Sequence, residues 1–141
     1  MAKRKVAIVI GNYNGYEDTM RCLDSLSKSL LKSSFRDFFV VLVDDCSEEK
    51  KSKELPYHIS EKGYDAEDSL GLIYTQSISN MGFAGANNIG IKTALMYEPE
   101  YVLLLNNDTI VLQDSIEKLV AFAEKNKNEI IKIVFKIHNE K

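Results

Sequence analysis

Apolar runs and helical patterns alternate along the chain. The apolar runs lie at residues 5–10, 37–43, 70–75 and 101–105, and stretches with apolar residues at three- or four-residue spacing follow several of them. A short apolar run between polar flanks predicts a strand buried on both faces, whereas the longer period predicts an amphipathic helix. The alternation therefore predicts an α/β fold with a largely parallel sheet.

The helical stretches differ in how clearly they are marked. The first begins at Glu17, and its apolar positions are Met20, Leu23, Leu26, Leu30 and Leu31. A short charged helix is predicted over residues 48–55, with Ser47 as its N-cap and Pro56 as its end, and residues 56–69 are predicted to be an exposed loop. A third helix is predicted over residues 83–97, with Phe83, Ala86 and Ala94 on its apolar face.

The C-terminal part of the chain continues the alternation. An apolar helical face follows Asp114, and residues 130–137 alternate in the way expected of a final strand. With 141 residues, the chain is predicted to form one domain, residues 1–141.

Polar clusters follow the predicted strands and are expected to meet. They are residues 11–15, 44–47 and 106–108, together with the glycine-rich stretch 80–90. Right-handed crossovers bring the carboxyl ends of parallel strands to one edge of the sheet, which is where ligands bind in such folds. The edge is therefore the predicted functional site.

Each cluster has a chemical interpretation and a structural one. Asp44 and Asp45 could accept hydrogen bonds from a nucleobase or a ribose, and Tyr13 could stack on a base. Asp108 could hold a magnesium ion together with diphosphate oxygens and water. The same residues could instead end strands as solvated turns or, for Tyr13, pack in the core.

The stretch from Asn80 through Gly82 to Gly85 has some features of a phosphate-binding loop before a helix. It has neither the first glycine of a dinucleotide fingerprint nor the lysine of a P-loop, so on its own it is a weak motif.

Composition narrows the function classes. The net charge of −3 argues against general nucleic-acid binding. Cys22 and Cys46 have no spacing typical of a disulfide framework or a zinc site, and His58 and His138 are predicted to lie at the surface. No stretch has the length of a membrane span, which predicts a cytoplasmic protein.

Taken together, residues 6–15, 41–47, 80–90 and 103–109 resemble the family 2 glycosyltransferases of the GT-A fold, especially rhamnosyltransferase-like members. The resemblance implies a Rossmann-like three-layer sandwich with helices on both faces of the sheet. It also implies inverting transfer of a sugar from a UDP- or dTDP-sugar to a saccharide or lipid-linked acceptor, in polysaccharide biosynthesis, with Mg²⁺ or Mn²⁺ on the diphosphate.

The resemblance also implies roles for individual residues. Those expected to bind the nucleotide are Gly11, Tyr13, Asp45, Asn80, Gly82 and Asn107, and Asp108 is expected to contact the metal ion. Asn106 and Asn107 stand where many relatives have acidic residues. We therefore expect an ion that is held mainly by the ligand.

In the family, the catalytic base and the acceptor-binding elements come after the portion that resembles this chain. The expectation is therefore a donor-binding portion of a glycosyltransferase, in the cytoplasm or peripheral at the inner face of the membrane. The alternative is a truncated, non-catalytic nucleotide-sugar-binding module that acts with a partner chain or by self-association. A phosphoacceptor signalling domain, suggested by Asp44 and Asp45, is disfavoured because the acidic pair follows the second strand.

Overall fold

The structure, a computed structural model, describes residues 2–127; the strand predicted at 130–137 lies outside this range. In chain order the elements are β1 Val6–Asn12, α1 Tyr16–Lys32, β2 Phe38–Asp44, α2 Lys50–Lys53, α3 Leu55–Glu61, β3 Ile73–Gln76, α4 Gly82–Leu95, β4 Tyr101–Asn106 and α5 Ser115–Lys125.

The four strands of the described residues form one parallel sheet in the order β3-β2-β1-β4. Val6 pairs with Phe38 on one side and with Tyr101 on the other, so the three strands start level with one another. They also end together, because Asn12 pairs with Asp44 and Gly11 with Asn106. The predicted parallel α/β fold is confirmed, and the polar clusters that follow β1, β2 and β4 lie at one edge.

Helices cover both faces of the sheet, which makes three layers. Alternate strand residues such as Ile8 and Ile10 pack with apolar residues of α1, α3 and α5. The other set, including Val9 and Val41, packs against α4 through Ala86 and Ala94. Residues 2–127 contain no helix with both the length and the apolar character needed to cross a membrane.

Helix α4 approaches the sheet closely at Gly90. A methyl group at this position would come within 2.3 Å of Val9 Cγ1 and 3.1 Å of Val43 Cγ2, closer than van der Waals contact allows. The absence of a side chain at Gly90 therefore sets the distance between α4 and the two central strands. That distance places the beginning of α4 above the carboxyl ends of β1 and β2.

The segment after β2 differs from the prediction. Pro56 does not end a helix over residues 48–55; it lies in the first turn of α3, where a missing N–H group costs nothing. Residues 56–69 are not simply an exposed loop, because α3 runs to Glu61 and buries Ile59, and Tyr64 is also buried. Ser47 does not cap α2, whose N-cap residue is Glu49.

Three apolar residues are more exposed than their spacing predicts. Leu31 in the last turn of α1 is 82% exposed, and Phe83 in the first turn of α4 is 72% exposed. Strand β4 is not buried on both faces, since it lies at the edge of the described sheet and Leu104 is 43% exposed. An apolar run does not distinguish an edge strand from a central one.

Candidate nucleotide-binding site

A pocket of about 280 Å³ opens at the carboxyl edge of the sheet. All six residues predicted to bind the nucleotide line it, whereas the predicted metal contact Asp108 does not. Sequence reasoning missed three further lining residues. The described residues that line it are Gly11, Asn12, Tyr13, Asp45, Asn80, Gly82, Phe83, Ala86 and Asn107.

Asp45 ties the end of β2 to the beginning of α4. Its Oδ1 accepts hydrogen bonds from the hydroxyl of Ser77 and the backbone N–H of Met81, both at 2.8 Å. Its Oδ2 accepts from the N–H of Gly82 at 2.9 Å. A carboxylate has about four acceptor positions, so these bonds leave about one for a ligand.

The same bonds change the interpretation of the glycine-rich stretch. The free N–H groups at a helix N-terminus favour an anion, and a buried carboxylate already meets those of Met81 and Gly82. These two groups therefore serve as a fixed wall of the pocket rather than as an open phosphate cradle. Asn80 Oδ1 accepts a further bond from the N–H of Gly82 at 3.1 Å, which stabilises the same turn.

The turn after β1 is held by a second set of contacts. Asn14 has a positive φ of 49°, a conformation that asparagine adopts more readily than most residues. Its Oδ1 accepts from the N–H groups of Glu48 and Glu49, and its own N–H donates to Ser47 Oγ. The loops that follow β1 and β2 are therefore locked together beside the pocket.

Buried polar side chains connect the ends of β1, β2 and β4. Asn12 donates to Asp44 Oδ1 at 2.9 Å and accepts from Thr19 Oγ1 at 2.7 Å. Asn107 donates to Thr19 Oγ1 at 3.1 Å. Asn12 and Thr19 are almost completely buried, so the three strand ends keep a fixed geometry at the pocket wall.

Two aromatic rings stand at the mouth of the pocket. Tyr13 is 46% exposed and Phe83 is 72% exposed, and both line it. Flat rings of this kind can stack on a planar ligand such as a nucleobase. Sequence reasoning missed Phe83 as a pocket residue because its helical spacing predicted a buried position. Its place directly after the glycine-rich turn was the signal that could have revealed it.

Asp108 lies just beyond β4 and is exposed. The pKa of the Cys22 thiol is raised from 9.0 to about 12. Burial of the thiol is the larger cause, and the negative charge of Asp108 is the smaller one. Cys22 Sγ is 3.9 Å from the carbonyl oxygen of Asn106, in a weak hydrogen bond that places the thiol beneath the same turn.

Residues 2–127 contain no cluster of three or more His, Cys, Asp or Glu residues that could hold a metal ion. Asp108 can supply one oxygen ligand to a hard divalent cation beside the turn after β4. The remaining ligands of the ion would have to come from a bound molecule and water.

Comparison with known proteins decides the family. The profile described as Glycosyl transferase family 2 matches residues 7–141. The chain belongs to this family.

Among curated relatives, an uncharacterized glycosyltransferase of Haemophilus influenzae is 25% identical over 123 residues, which cover 87% of this chain and 36% of the relative. A second protein of that description from the same organism is 31% identical over 98 residues, covering 70% and 35% of the two chains.

Solved structures confirm the GT-A fold. Residues 1–349 of TarS from S. aureus, in complex with UDP, align with a TM-score of 0.62 at 28% identity, covering 87% of this chain and 33% of TarS 1–349. A mannosyltransferase from Pyrobaculum calidifontis, in complex with GDP-Man and Mn²⁺, aligns with a TM-score of 0.64 at 19% identity, a level that supports the fold alone. This family 2 glycosyltransferase chain spans about a third of the length of these relatives.

Proposed function

We propose that this chain binds the nucleoside diphosphate part of a sugar donor, a UDP- or dTDP-sugar, as the donor-binding portion of an inverting glycosyltransferase. The observation that carries the proposal is the pocket at the carboxyl edge of the sheet, where residues from the ends of β1, β2 and β4 and the start of α4 line one cavity. Support also comes from TarS, which is similar in fold and was solved with UDP.

The pocket has features suited to a nucleoside. Tyr13 and Phe83 offer exposed rings, and the small side chains of Gly11 and Ala86 leave room for a ligand. Asp45 retains about one acceptor position, which could receive an N–H group of the base. A cavity of about 280 Å³ is close to the lower size of small-molecule sites, so we assign it to the nucleoside rather than to the whole donor.

The charge of the pocket favours a divalent cation. Among residues 2–127, no lysine or arginine lines the pocket, and Asp45, which is negative, is the only charged residue that does. A diphosphate that extends from a nucleoside in this pocket needs positive charge nearby, because it would otherwise lie close to a carboxylate without a counter-charge. We assign Asp108 as the residue that would contact Mg²⁺ or Mn²⁺. When bound, the ion would offset the charge of the departing nucleoside diphosphate.

Calorimetric titration of the chain with UDP, dTDP and GDP, each with and without Mn²⁺, tests the proposal. We expect at least one nucleotide to bind more tightly with Mn²⁺. Replacing Asp108 with Asn should weaken the Mn²⁺-dependent binding roughly 10- to 100-fold, as expected for loss of a charged contact.

Glu100→Gln is the matched control. Glu100 is also an exposed acid, but it lies at the opposite end of β4, and its substitution should leave binding unchanged. Failure of all three nucleotides to bind at millimolar concentration would rule out the donor site. Equal Mn²⁺-dependent binding by Asp108→Asn and wild type would rule out the role of Asp108 alone.

A further inference from the structure

The direction of the hydrogen bonds beneath the pocket is set by Asp44. This carboxylate is 2% exposed and accepts from Asn12 Nδ2 at 2.9 Å and from Ser47 Oγ at 2.7 Å. A carboxylate offers acceptors only, so the nitrogen end of the Asn12 amide must face it. The oxygen end of Asn12 therefore points away from Asp44 and meets Thr19.

Thr19 links Asn12 to Asn107, which follows β4, and fixes which group donates and which accepts in each of the two bonds. It is completely buried in α1, and its hydroxyl donates to Asn12 Oδ1 at 2.7 Å. A hydroxyl has a single hydrogen, so towards any other neighbour Thr19 can act only as an acceptor. The group that donates to it is Asn107 Nδ2, at 3.1 Å.

The nitrogen end of Asn107 therefore has one of its two hydrogens committed to Thr19. It is also closely covered, since a methyl group at Gly15 would come within 2.7 Å of Nδ2. Because Asn107 lines the pocket while its nitrogen is held by Thr19, the end of the amide that a ligand meets is Oδ1. An amide can present either a donor or an acceptor to a ligand. The buried hydrogen bonds from Asp44 through Asn12 and Thr19 orient the Asn107 amide so that it presents the acceptor.

We propose that Thr19 is a positioning residue that fixes the orientation of Asn107, so that the pocket presents an acceptor oxygen to a hydroxyl or N–H group of the bound nucleotide. The role in binding rests on the proposed function, whereas the orientation of the amide does not. Thr19 touches no ligand in this account and acts through Asn107. The Asp44 carboxylate determines which group donates and which accepts in the bonds between Asn12 and Thr19 and between Thr19 and Asn107.

The orientation can be measured without a ligand. Hydrogen exchange of the Asn107 side-chain amide, followed by NMR, should be at least about tenfold slower than that of Asn88, an exposed asparagine in α4. Thr19→Val has nearly the same shape but no hydroxyl, and it should bring the exchange of Asn107 close to that of Asn88. Thr19→Ser keeps the hydroxyl and should preserve slow exchange. Fast exchange of Asn107 in the wild-type chain would overturn the inference.

Binding of UDP, dTDP and GDP with Mn²⁺ then tests the consequence. Thr19→Val should weaken the binding of the tightest of these nucleotides about three- to tenfold, and Thr19→Ser should bind like wild type. In an Asn107→Ala background, Thr19→Val should cause no further loss, because the residue through which it acts is gone. An equal loss in both backgrounds would overturn the positioning role. Absence of binding by the wild-type chain would contradict the proposed function instead, and the exchange measurement would still decide the orientation.

Discussion

Asp45 Oδ2 accepts a hydrogen bond from the backbone N–H of Gly82 at 2.9 Å, which joins the end of β2 to the first residue of α4. With the bonds from Ser77 and Met81 to Oδ1, this carboxylate holds the whole turn from residue 77 to residue 82 against the sheet. The residue expected to contact the base is thus also the residue that stabilises the pocket wall.

Removing the Asp45 carboxylate should destabilise the fold. Asp45→Ala leaves the N–H groups of Met81 and Gly82 without their acceptor, and we expect the free energy of unfolding to fall by about 1–3 kcal/mol in urea titrations. Asp45→Asn keeps one oxygen and should lose less. Asp65→Ala, at an exposed position, should stay within about 0.5 kcal/mol of wild type. A loss no greater for Asp45→Ala than for Asp65→Ala would contradict the account of the turn.

Gly90→Ala should also destabilise the protein, although alanine is the better helix former. The added methyl group would meet Val9 and Val43, and overpacking of this kind costs about 1–3 kcal/mol. Asn88→Ala, an exposed position in the same helix, should instead raise stability by a few tenths of a kcal/mol. Thermal unfolding of the two variants separates helix propensity from packing. A higher melting temperature for Gly90→Ala would show that α4 does not approach the sheet so closely.

The two thiols should differ in reactivity and in pH dependence. Cys46 is exposed whereas Cys22 is buried, so iodoacetamide at pH 8 should modify Cys46 in the native chain and both residues only in urea. Burial and the charge of Asp108 raise the pKa of Cys22 from 9.0 to about 12. The stability that comes from keeping this thiol neutral is therefore present below pH 9 and is lost as the pH rises towards 12.

This loss is measurable by comparison with Cys22→Ala. Above pH 9 the wild-type chain should lose up to about 1.4 kcal/mol of unfolding free energy per pH unit more than the variant does. Urea titrations at pH 8 and pH 10.5 give the comparison. Parallel losses in the two proteins would show that Cys22 does not titrate differently in the folded and unfolded chains.

The sequence predicted the sheet and the meeting of the polar clusters at one edge well, for a physical reason. An apolar run such as residues 37–43 buries both of its faces as a strand between two layers of helices. The polar residues at the carboxyl ends of parallel strands then meet at one edge of the sheet. All six predicted nucleotide-binding residues consequently line the pocket. Their individual contacts remain predictions.

What the sequence could not predict depends on distant neighbours. Pro56 is compatible with either end of a helix region, and only the packing of Ile59 shows that α3 continues beyond it. Phe83 has the spacing of a core residue, yet it lies in the first turn of α4 and lines the pocket. The second function of Asp45 arises from residues more than 30 positions away along the chain.

The most direct test of the donor pocket is an NMR titration of the ¹⁵N-labelled chain with UDP and Mg²⁺, which is diamagnetic and leaves the nearby signals visible. The account predicts that the largest shift changes fall on Gly11, Tyr13, Asn80, Gly82 and Asn107, with little change at the opposite edge around Lys5 and Glu100. Saturating shifts that map outside this pocket would contradict the account, as would the absence of any shift with UDP, dTDP or GDP at millimolar concentration.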